Sequence, residues 1–304
     1  MTGHIHAVWR LTRFPEYVSF VIITTLLGAA AGQGSLEWPL IVVLVANWLA
    51  VGFAFMVNDV EDAPDDAMTP AKARRNPVSS GDISPRFARV LSFTVAVVAT
   101  LLYASLGLGP FLTGVACIVL AYLYSSRRVR LKATPVVDLI SHALILAGLQ
   151  FLAAYLTFDG GTLSQGASAF ALVVAISLYG QLFNELRDFD GDLKAGVTHT
   201  ASLLGRRAAY VLMMAWLSIG VASAAFSILV ARLIPVWVIL VTLLLAGLLS
   251  WRRLPGVLHA QSTLELHTPL QKPVEIAAAI ALLAWFVGPW APSLISMFIV
   301  APPW

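Results

Sequence analysis

Residues 40–66 read LIVVLVANWLAVGFAFMVNDVEDAPDD, and this stretch combines the two features that decide the fold. The run from Leu40 to Val57 contains no charged residue, and a helix that crosses a bilayer needs about 20 mostly apolar residues. Five acidic residues follow within the next nine positions. The stretch therefore predicts a transmembrane helix that ends in a cluster of carboxylates at the membrane surface.

The rest of the chain has the same apolar character. Of its 304 residues, 59% are hydrophobic and 12% are charged, whereas soluble domains average about 45–50% apolar and about 25% charged residues. With a mean hydropathy of +0.84, this composition excludes a water-soluble globular fold, a disordered chain and a nucleic-acid-binding protein. The single cysteine, Cys117, excludes an intrachain disulfide and a thiolate metal cluster.

Further apolar runs predict eight more transmembrane helices. We therefore expect an all-α polytopic membrane protein with nine spans, in a single domain that covers residues 1–304. The first run also fits a cleaved signal peptide, and we favour a retained helix because the Arg13-Phe14-Pro15 sequence before it matches a motif described below. The predicted spans are 17–31, 40–57, 88–106, 111–124, 136–158, 167–183, 208–231, 234–251 and 274–300.

The basic residues indicate how the spans are oriented. Of the 19 Lys and Arg residues, 18 fall in the amino-terminal segment or in loops on one side, and Arg232 alone falls on the other side. The positive-inside rule then places the amino terminus and these loops in the cytoplasm. We expect an integral protein of a prokaryotic cell membrane whose active site faces the cytoplasm.

A second acidic cluster, at residues 184–192, repeats the pattern of the first at residues 58–66. The spacing of four places the side chains of each set along one face of a helix, unless Pro64 and Gly191 end the helices and the last carboxylate comes from a loop. The equivalent positions after the second and sixth spans suggest an internal repeat. The members of the two sets are Asn58, Asp62 and Asp66, and Asn184, Asp188 and Asp192.

Carboxylates gathered at a membrane surface repel one another and require cations. Oxygen ligands of this kind suit Mg²⁺, which proteins commonly hold with one or two carboxylates and a substrate phosphate. Basic residues follow each cluster and occupy the loop between them. We therefore predict metal and phosphate chemistry. Taken alone, either cluster is equally well interpreted as a solvated acidic loop. Many of the basic residues are equally well interpreted as residues that keep their loops in the cytoplasm, whatever the function of the protein.

The two clusters and the loop between them resemble the UbiA superfamily of intramembrane prenyltransferases over about residues 10–210. The first family signature, Asn-Asp-x-x-Asp-x-x-x-Asp, is met by Asn58, Asp59, Asp62 and Asp66, and the second by Asp188 and Asp192. The Tyr-Ser, Arg-Leu-Lys and amino-terminal Arg-Pro motifs of the family are similar to Tyr124-Ser125, Arg130-Leu131-Lys132 and Arg13-Phe14-Pro15.

The resemblance implies a Mg²⁺-dependent enzyme of isoprenoid biosynthesis that ionises a prenyl diphosphate within the lipid bilayer and transfers the prenyl group to a hydrophobic or aromatic acceptor. It implies catalytic roles for Asn58, Asp59, Asp62, Asp66, Asn184, Asp188 and Asp192. The implied Mg²⁺ ligands are Asp62, Asp66, Asp188 and Asp192. The implied diphosphate contacts are Lys72, Arg75, Tyr124, Arg130, Lys132 and Lys194. The allylic cation needs a dry aromatic cavity, for which the candidates are Phe53, Phe55, Tyr122, Tyr179 and Phe183.

Two positions depart from the family pattern. Asn76 stands where members commonly have arginine, so we expect Arg75 to contact the diphosphate from one position earlier. Glu185 stands where many members have aspartate. Neither departure removes an implied metal ligand.

Polar residues also occur inside the fifth span. The spacings of Asp138, His142 and Gln150 predict a common helical face. We favour structural roles for them, with a contact to the acceptor as the alternative. The loop at residues 254–272 is interpreted as a cap or lid, because its two histidines have no further cluster of ligands beside them.

Two other functions share parts of this pattern. A membrane terpene cyclase of the same superfamily would use the same residues without an acceptor, and the sequence leaves both enzymes open. An ion or phosphate transporter is also built from repeated halves with intramembrane acids, but here the acids lie at the predicted cytoplasmic surface. The sequence leaves the acceptor open among an aromatic acid, a quinone precursor, a tetrapyrrole, a lipid headgroup and a carotenoid.

Overall fold

The computed structural model describes residues 2–158, 160–194, 198–253 and 263–288. This part of the chain is helical, and it has no β-strand. Its α-helices are α1 Thr2–Thr12, α2 Phe14–Ala31, α3 Trp38–Asp66, α4 Pro70–Arg75, α5 Pro85–Ala104, α6 Leu108–Ser125, α7 Val137–Ala143, α8 Leu149–Phe158, α9 Leu163–Lys194, α10 Thr200–Leu204, α11 Arg206–Leu229, α12 Val236–Ser250 and α13 Thr263–Val287.

The prediction of nine transmembrane helices is confirmed. Nine helical stretches within the described ranges are long and apolar enough to cross a membrane. The largest differences from the predicted spans are in α3, which continues to Asp66, and in α9, which begins at Leu163 and continues to Lys194. For the last span, the structure describes the helix as far as Val287; the predicted residues 289–300 lie outside the described part of the chain, as do residues 254–262 of the predicted lid.

Both acidic motifs are helical throughout. Helix α3 passes through Pro64 before it ends at Asp66, and α9 passes through Gly191 before it ends at Lys194. The alternative in which a loop supplies the last carboxylate of each set is therefore wrong. Because the helices are continuous, residues at a spacing of four remain on one face up to the end of each motif.

The centre of the bundle is formed by α2, α3 and α8, which pack against one another. The backbones of α2 and α8 approach so closely that a Cβ atom at Gly28 would overlap the carbonyl oxygen of Phe151. Polar side chains in this apolar core are paired with each other, as a membrane interior requires. Asn47, which is fully buried, accepts a 2.6 Å hydrogen bond from Tyr103 and donates a 2.8 Å hydrogen bond to Thr25.

The fifth span contains a π turn that the sequence pattern does not predict. Residues Leu144–Gly148 form this turn between α7 and α8, and a π turn shifts the helical register of the residues after it. Gln150 donates a 2.7 Å hydrogen bond to the carbonyl of Ile145 within the altered stretch. Along this span, Asp138 contacts α10, and Gln150, twelve residues later, contacts Thr24 of α2.

Candidate active site

Two residues of the first acidic motif contact the ammonium group of Lys132. The Nζ atom of Lys132 lies 2.9 Å from Asn58 Oδ1 and 2.6 and 2.5 Å from the two carboxylate oxygens of Asp62. Lys132 reaches this position from a short 3₁₀ turn, Leu131–Ala133, in the loop between α6 and α7. Asn58 and Asp62 share one face of α3, as their spacing of four predicts, and there an amide and a carboxylate meet one cation.

Two further members of the motif are buried beside Asn76. The carboxylate of Asp66 accepts a 3.0 Å hydrogen bond from the side-chain amide of Asn76, and the backbone carbonyl of Asp59 accepts another of 2.8 Å. Asp59 and Asn76 are fully buried. Asn76 therefore contacts the acidic motif itself, whereas the side chain of Arg75 is exposed and forms no ion pair among the described residues.

The Arg-Phe-Pro motif contacts one carboxylate of the first acidic motif. Arg13 lies in the left-handed backbone region, with φ of 50°, and its guanidinium is 3.5 Å from Asp59. The pKa of Arg13 is raised, because its hydrogen bond and its attraction to Glu16 and Asp59 outweigh the burial that opposes its charge. The guanidinium also lies 4.6 Å above the ring of Phe55, which stacks on Tyr17 at 5.1 Å.

The loop after α6 adds more positive charge to the end of α3. Arg127 and Arg130 donate hydrogen bonds of 2.8 and 3.0 Å to the carboxylate of Asp65, and Arg130 is also 4.0 Å from Asp62. Burial lowers the pKa of Lys132 from its usual value, and the neighbouring Asp62 opposes this effect only in part. The predicted diphosphate contacts Arg130 and Lys132 thus lie together at the first motif.

The same loop connects the two acidic motifs. Downstream of Lys132, the carbonyl of Ala133 accepts a 3.1 Å hydrogen bond from Thr198, and the backbone N–H of Val136 donates one of 2.7 Å to Thr200. Thr198 and Thr200 come six and eight residues after Asp192, the last residue of the second motif. The two motifs therefore lie at the same end of the bundle, and Lys132 is part of the segment that joins them.

A buried network holds the segment after the second motif. The carboxylate of Asp138 accepts hydrogen bonds of 2.7 and 2.5 Å from the N–H and the hydroxyl of Thr200, and a further one of 2.7 Å from the N–H of Leu139. Glu185 accepts a 2.9 Å hydrogen bond from the N–H of Ala201. These bonds support the structural role favoured for Asp138. They also give Glu185, which replaces the usual aspartate, a contact to α10.

The described side chains of the second motif make fewer contacts than those of the first motif. Asp188 is half-exposed and pairs with the adjacent Arg187, with donor–acceptor distances of 3.1 and 3.0 Å. Asn184 is partly buried and forms no hydrogen bond among the described side chains. The side chains of Asp192 and Lys194 lie outside the described residues, and Lys72 is exposed on α4. In the described part of the chain, no three acidic, histidine or cysteine side chains converge on one point.

Tyr124 lies between the two halves of the site. Its phenol interacts electrostatically with Asp62 of the first motif and with Asp138 and Glu185 of the second half, and its ring is 6.3 Å from that of His142. The donors of the first motif fit Mg²⁺, because oxygens of Asn58 and Asp62 already converge on one cation and oxygen is the ligand that Mg²⁺ prefers. A buried oxygen of Asp59, Oδ2, has no hydrogen-bond partner among the described residues.

Comparison with known proteins identifies the family. The model of the UbiA prenyltransferase family matches residues 21–259. The chain belongs to the UbiA prenyltransferase family. Lycopene elongase/hydratase of Haloarcula japonica is 31% identical over 209 residues, or 67% of this chain and 69% of that protein. Digeranylgeranylglyceryl phosphate synthase of Natronomonas pharaonis is 28% identical over 247 residues, or 75% of this chain and 80% of that protein.

The UbiA fold is also found in solved structures. A UbiA homologue from Archaeoglobus fulgidus, bound to GPP and Mg²⁺, has a TM-score of 0.66 and covers 91% of this chain and 99% of that chain at 21% identity. At this identity, the likeness shows the fold alone. Its family and the relatives named as prenyltransferases show that this UbiA chain is a prenyltransferase, as predicted. Its apolar helices, together with the family, indicate an integral membrane protein, as predicted.

Sequence reasoning about this UbiA chain missed the contacts made by Asn76 and Thr200. Asn76 was noted as a departure from the family pattern, but a lone asparagine gives no signal for the carboxylate that it contacts. The pairing of Thr200 with Asp138 joins residues 62 positions apart, and neither position alone indicates the other. Among the aromatic candidates, Phe53 is fully buried and packs against Phe93, so it belongs to the core.

Proposed function

We propose that this chain is a Mg²⁺-dependent intramembrane prenyltransferase that ionises a prenyl diphosphate and transfers the prenyl group to an aromatic or lipid acceptor. The observation that carries the proposal is the convergence of three oxygens of Asn58 and Asp62 on the Lys132 ammonium. The same loop holds the segment after the second motif. A diphosphate at this position would meet residues from both halves of the chain.

The chain's own residues have distinct roles in this proposal. Asp62 and Asp66 of α3, with Asp188 and Asp192 of α9, would hold Mg²⁺, which when bound neutralises charge on the departing diphosphate. Lys132 and Arg130 bind phosphate oxygens with charge-assisted hydrogen bonds, which are stronger than neutral ones. Asn58 orients Lys132, and Asn76 keeps the carboxylate of Asp66 in position.

The prenyl chain carries positive charge once the C–O bond breaks. Phe55 precedes Asp59 by one helical turn on α3, and the stacked pair of Phe55 and Tyr17 supplies aromatic surface next to the carboxylates. An aromatic face attracts a cation, and the guanidinium of Arg13 above Phe55 is an example of this in the molecule. An apolar wall of this kind also excludes water, which would otherwise capture the carbocation.

We place the site at the cytoplasmic face of a prokaryotic cell membrane, on the basis of the charge distribution. Introduced cysteines test this orientation, because the native Cys117 is buried. A cysteine that replaces exposed Ser80 should resist a membrane-impermeant thiol reagent in intact cells, whereas one that replaces exposed Gln33 should react. The reverse labelling pattern would contradict the orientation.

The first acceptor to test is a carotenoid polyene, because relatives from Haloarcula japonica and Haloferax volcanii carry the name lycopene elongase/hydratase. Purified protein is incubated with dimethylallyl or geranylgeranyl diphosphate and with lycopene, 4-hydroxybenzoate or geranylgeranylglyceryl phosphate in turn. Mass spectrometry should find one acceptor that gains a prenyl unit. Chelation with EDTA should abolish turnover, and added Mg²⁺ should restore it.

Substitutions locate the reaction on α3. Asp62→Asn should lower kcat/KM by about 100-fold or more, because it removes charge stabilisation at the reacting centre. Glu37→Gln is the matched control, since Glu37 is exposed at the opposite end of the same helix. Undiminished turnover by Asp62→Asn would refute the assignment of the site. Release of a hydrocarbon or terpene alcohol without any acceptor would instead identify a cyclase.

A further inference from the structure

A cavity of about 380 Å³ lies between α3, α5 and α6, next to the loop that follows α6. It is at the end of the bundle that carries the acidic motifs, because α5 begins there, α6 ends there and Glu61 of α3 lines it. The lining residues that bear on its ligand are Glu61, Arg89, Phe93, Tyr122, Arg127 and Arg128.

This cavity is separate from the candidate active site. Val57, Val60 and Glu61 line it, whereas Asn58 and Asp62 bind Lys132. Successive residues of an α-helix are rotated by about 100°, so these two groups lie on different faces of α3, with their centres roughly 130° apart. A ligand in the cavity would therefore lie on a different face of the helix from Asn58 and Asp62.

The charge of the lining is positive, with three guanidinium groups and one carboxylate. Arg127 is held within the protein, because it donates hydrogen bonds of 2.7 Å to the carbonyl of Glu61 and 2.8 Å to Asp65. Arg89 is 4.0 Å from the carboxylate of Glu61, and its side chain is 58% exposed. Arg128 is exposed and forms no ion pair within the described part of the chain. Arg89 and Arg128 therefore remain able to bind an external anion.

The other side of the cavity is apolar and continues along α5. Phe93 and Tyr122 line it with ring centroids 5.9 Å apart. From Phe93, the exposed side chains of Val97 and Leu101 follow at a spacing of four, which places them on one face of the helix. This strip leads away from the arginines toward the opposite membrane surface. The arrangement suits a ligand with an anionic head and a hydrocarbon chain.

We propose that this cavity binds one anionic phospholipid, with its phosphate between Arg89 and Arg128 and an acyl chain along Phe93, Val97 and Leu101. Basic pockets between transmembrane helices on the cytoplasmic side are sites for anionic lipid headgroups. A prenyl diphosphate, like a phospholipid, has an anionic head and a hydrocarbon chain. We favour the phospholipid because a diphosphate held here would lie on a different face of α3 from Asn58 and Asp62, which we propose hold the reacting head group.

Native mass spectrometry of the full-length protein in a neutral detergent tests the proposal. Palmitoyl-oleoyl phosphatidylglycerol and the matching phosphatidylcholine are titrated separately, and we expect one phosphatidylglycerol to bind at least about tenfold more tightly. The Arg89→Gln/Arg128→Gln double variant should lose this preference. The control double variant, Arg207→Gln/Arg252→Gln, removes the same charge from two other exposed arginines and should keep it.

A charge-conserving variant, Arg89→Lys/Arg128→Lys, should retain selective binding and keeps the test valid if the glutamine variant fails to fold. Equal binding of the two lipids by the wild type, or equal losses in both glutamine double variants, would overturn the proposal. Competition by glycerol 1-phosphate at the same concentration as the lipid would indicate a free phosphate site. Displacement of phosphatidylglycerol by geranylgeranyl diphosphate would assign the cavity to the substrate instead.

Discussion

The side-chain amide of Asn76 donates a 3.0 Å hydrogen bond to the carboxylate of Asp66. The same amide donates to the backbone carbonyl of Asp59, and its oxygen accepts a 3.0 Å hydrogen bond from the N–H of Val78. One fully buried side chain therefore joins the end of α3 to the loop after α4. Where the family pattern has arginine, this chain has a residue that positions a carboxylate.

Replacement of Asn76 by alanine should affect both stability and metal use. The N–H of Val78 loses its acceptor, and the buried carbonyl of Asp59 loses one of its hydrogen bonds; a buried group left unsatisfied costs about 1–3 kcal/mol. The carboxylate of Asp66 also loses its support, so we expect the Mg²⁺ concentration at half-maximal activity to rise. Thermal unfolding and a Mg²⁺ titration of activity measure the two effects.

Ser79→Ala is the matched control for this substitution. Ser79 lies in the same loop as Asn76, and its hydroxyl donates a 2.9 Å hydrogen bond to the carbonyl of Ala63 in α3. Among the described contacts, Ser79 has none with Asp66. This variant should lose some stability and keep the wild-type Mg²⁺ dependence. If the Mg²⁺ curves of Asn76→Ala and Ser79→Ala coincide, Asn76 serves only the fold.

Lys132 and Lys72 should contribute unequally to diphosphate binding. Lys132 is held by Asn58 and Asp62, whereas Lys72 is exposed and contacts no carboxylate in the described structure. Because a hydrogen bond to a charged group contributes about 1.5–3 kcal/mol, Lys132→Gln should raise the KM for the prenyl diphosphate by about tenfold or more. Lys72→Gln should raise it less. Steady-state kinetics that rank the two variants in the opposite order would remove Lys132 from the binding site.

The sequence predicted the features that depend on local pattern. The length of an apolar run indicates a span, and a spacing of four places Asn58 and Asp62 on one face whatever the rest of the chain does. Contacts between distant segments have no such signal. The sequence therefore did not predict that Thr200 reaches Asp138, or that Asn76 reaches Asp66, because both depend on how helices pack.

Two other features were ambiguous for different physical reasons. The π turn at Leu144–Gly148 leaves the composition of the span unchanged, so hydrophobic pattern does not reveal it. Basic residues such as Arg89 and Arg128 satisfy the positive-inside rule in any membrane protein. Their position at one cavity becomes apparent only when α5 and α6 are packed against α3.

The Asp138–Thr200 contact should stabilise the segment after the second motif. Asp138→Ala would leave the N–H groups of Leu139 and Thr200 buried without their acceptor, at a cost of about 3 kcal/mol in the free energy of unfolding. Loss of this anchor should also speed tryptic cleavage after Lys194. The control is Ser141→Ala, since within the described part of the chain the Ser141 hydroxyl bonds to carbonyls of its own helix. Equal cleavage rates in both variants would show that Asp138 does not hold this segment.

The contact between α5 and α6 requires a residue without a side chain at position 114. A Cβ atom on Gly114 would overlap the ring of Tyr103, which is fully buried and donates its 2.6 Å hydrogen bond to Asn47. Overpacking of this kind costs about 1–3 kcal/mol, and a displaced ring also weakens the hydrogen bond to Asn47. Gly114→Ala should therefore lower the thermal midpoint in detergent. The control is Gly247→Ala on α12, where the added Cβ atom meets open space. This variant should leave the thermal midpoint unchanged or raise it slightly, because alanine favours helix. Equal midpoints for the two variants would mean that α5 and α6 do not pack through Gly114.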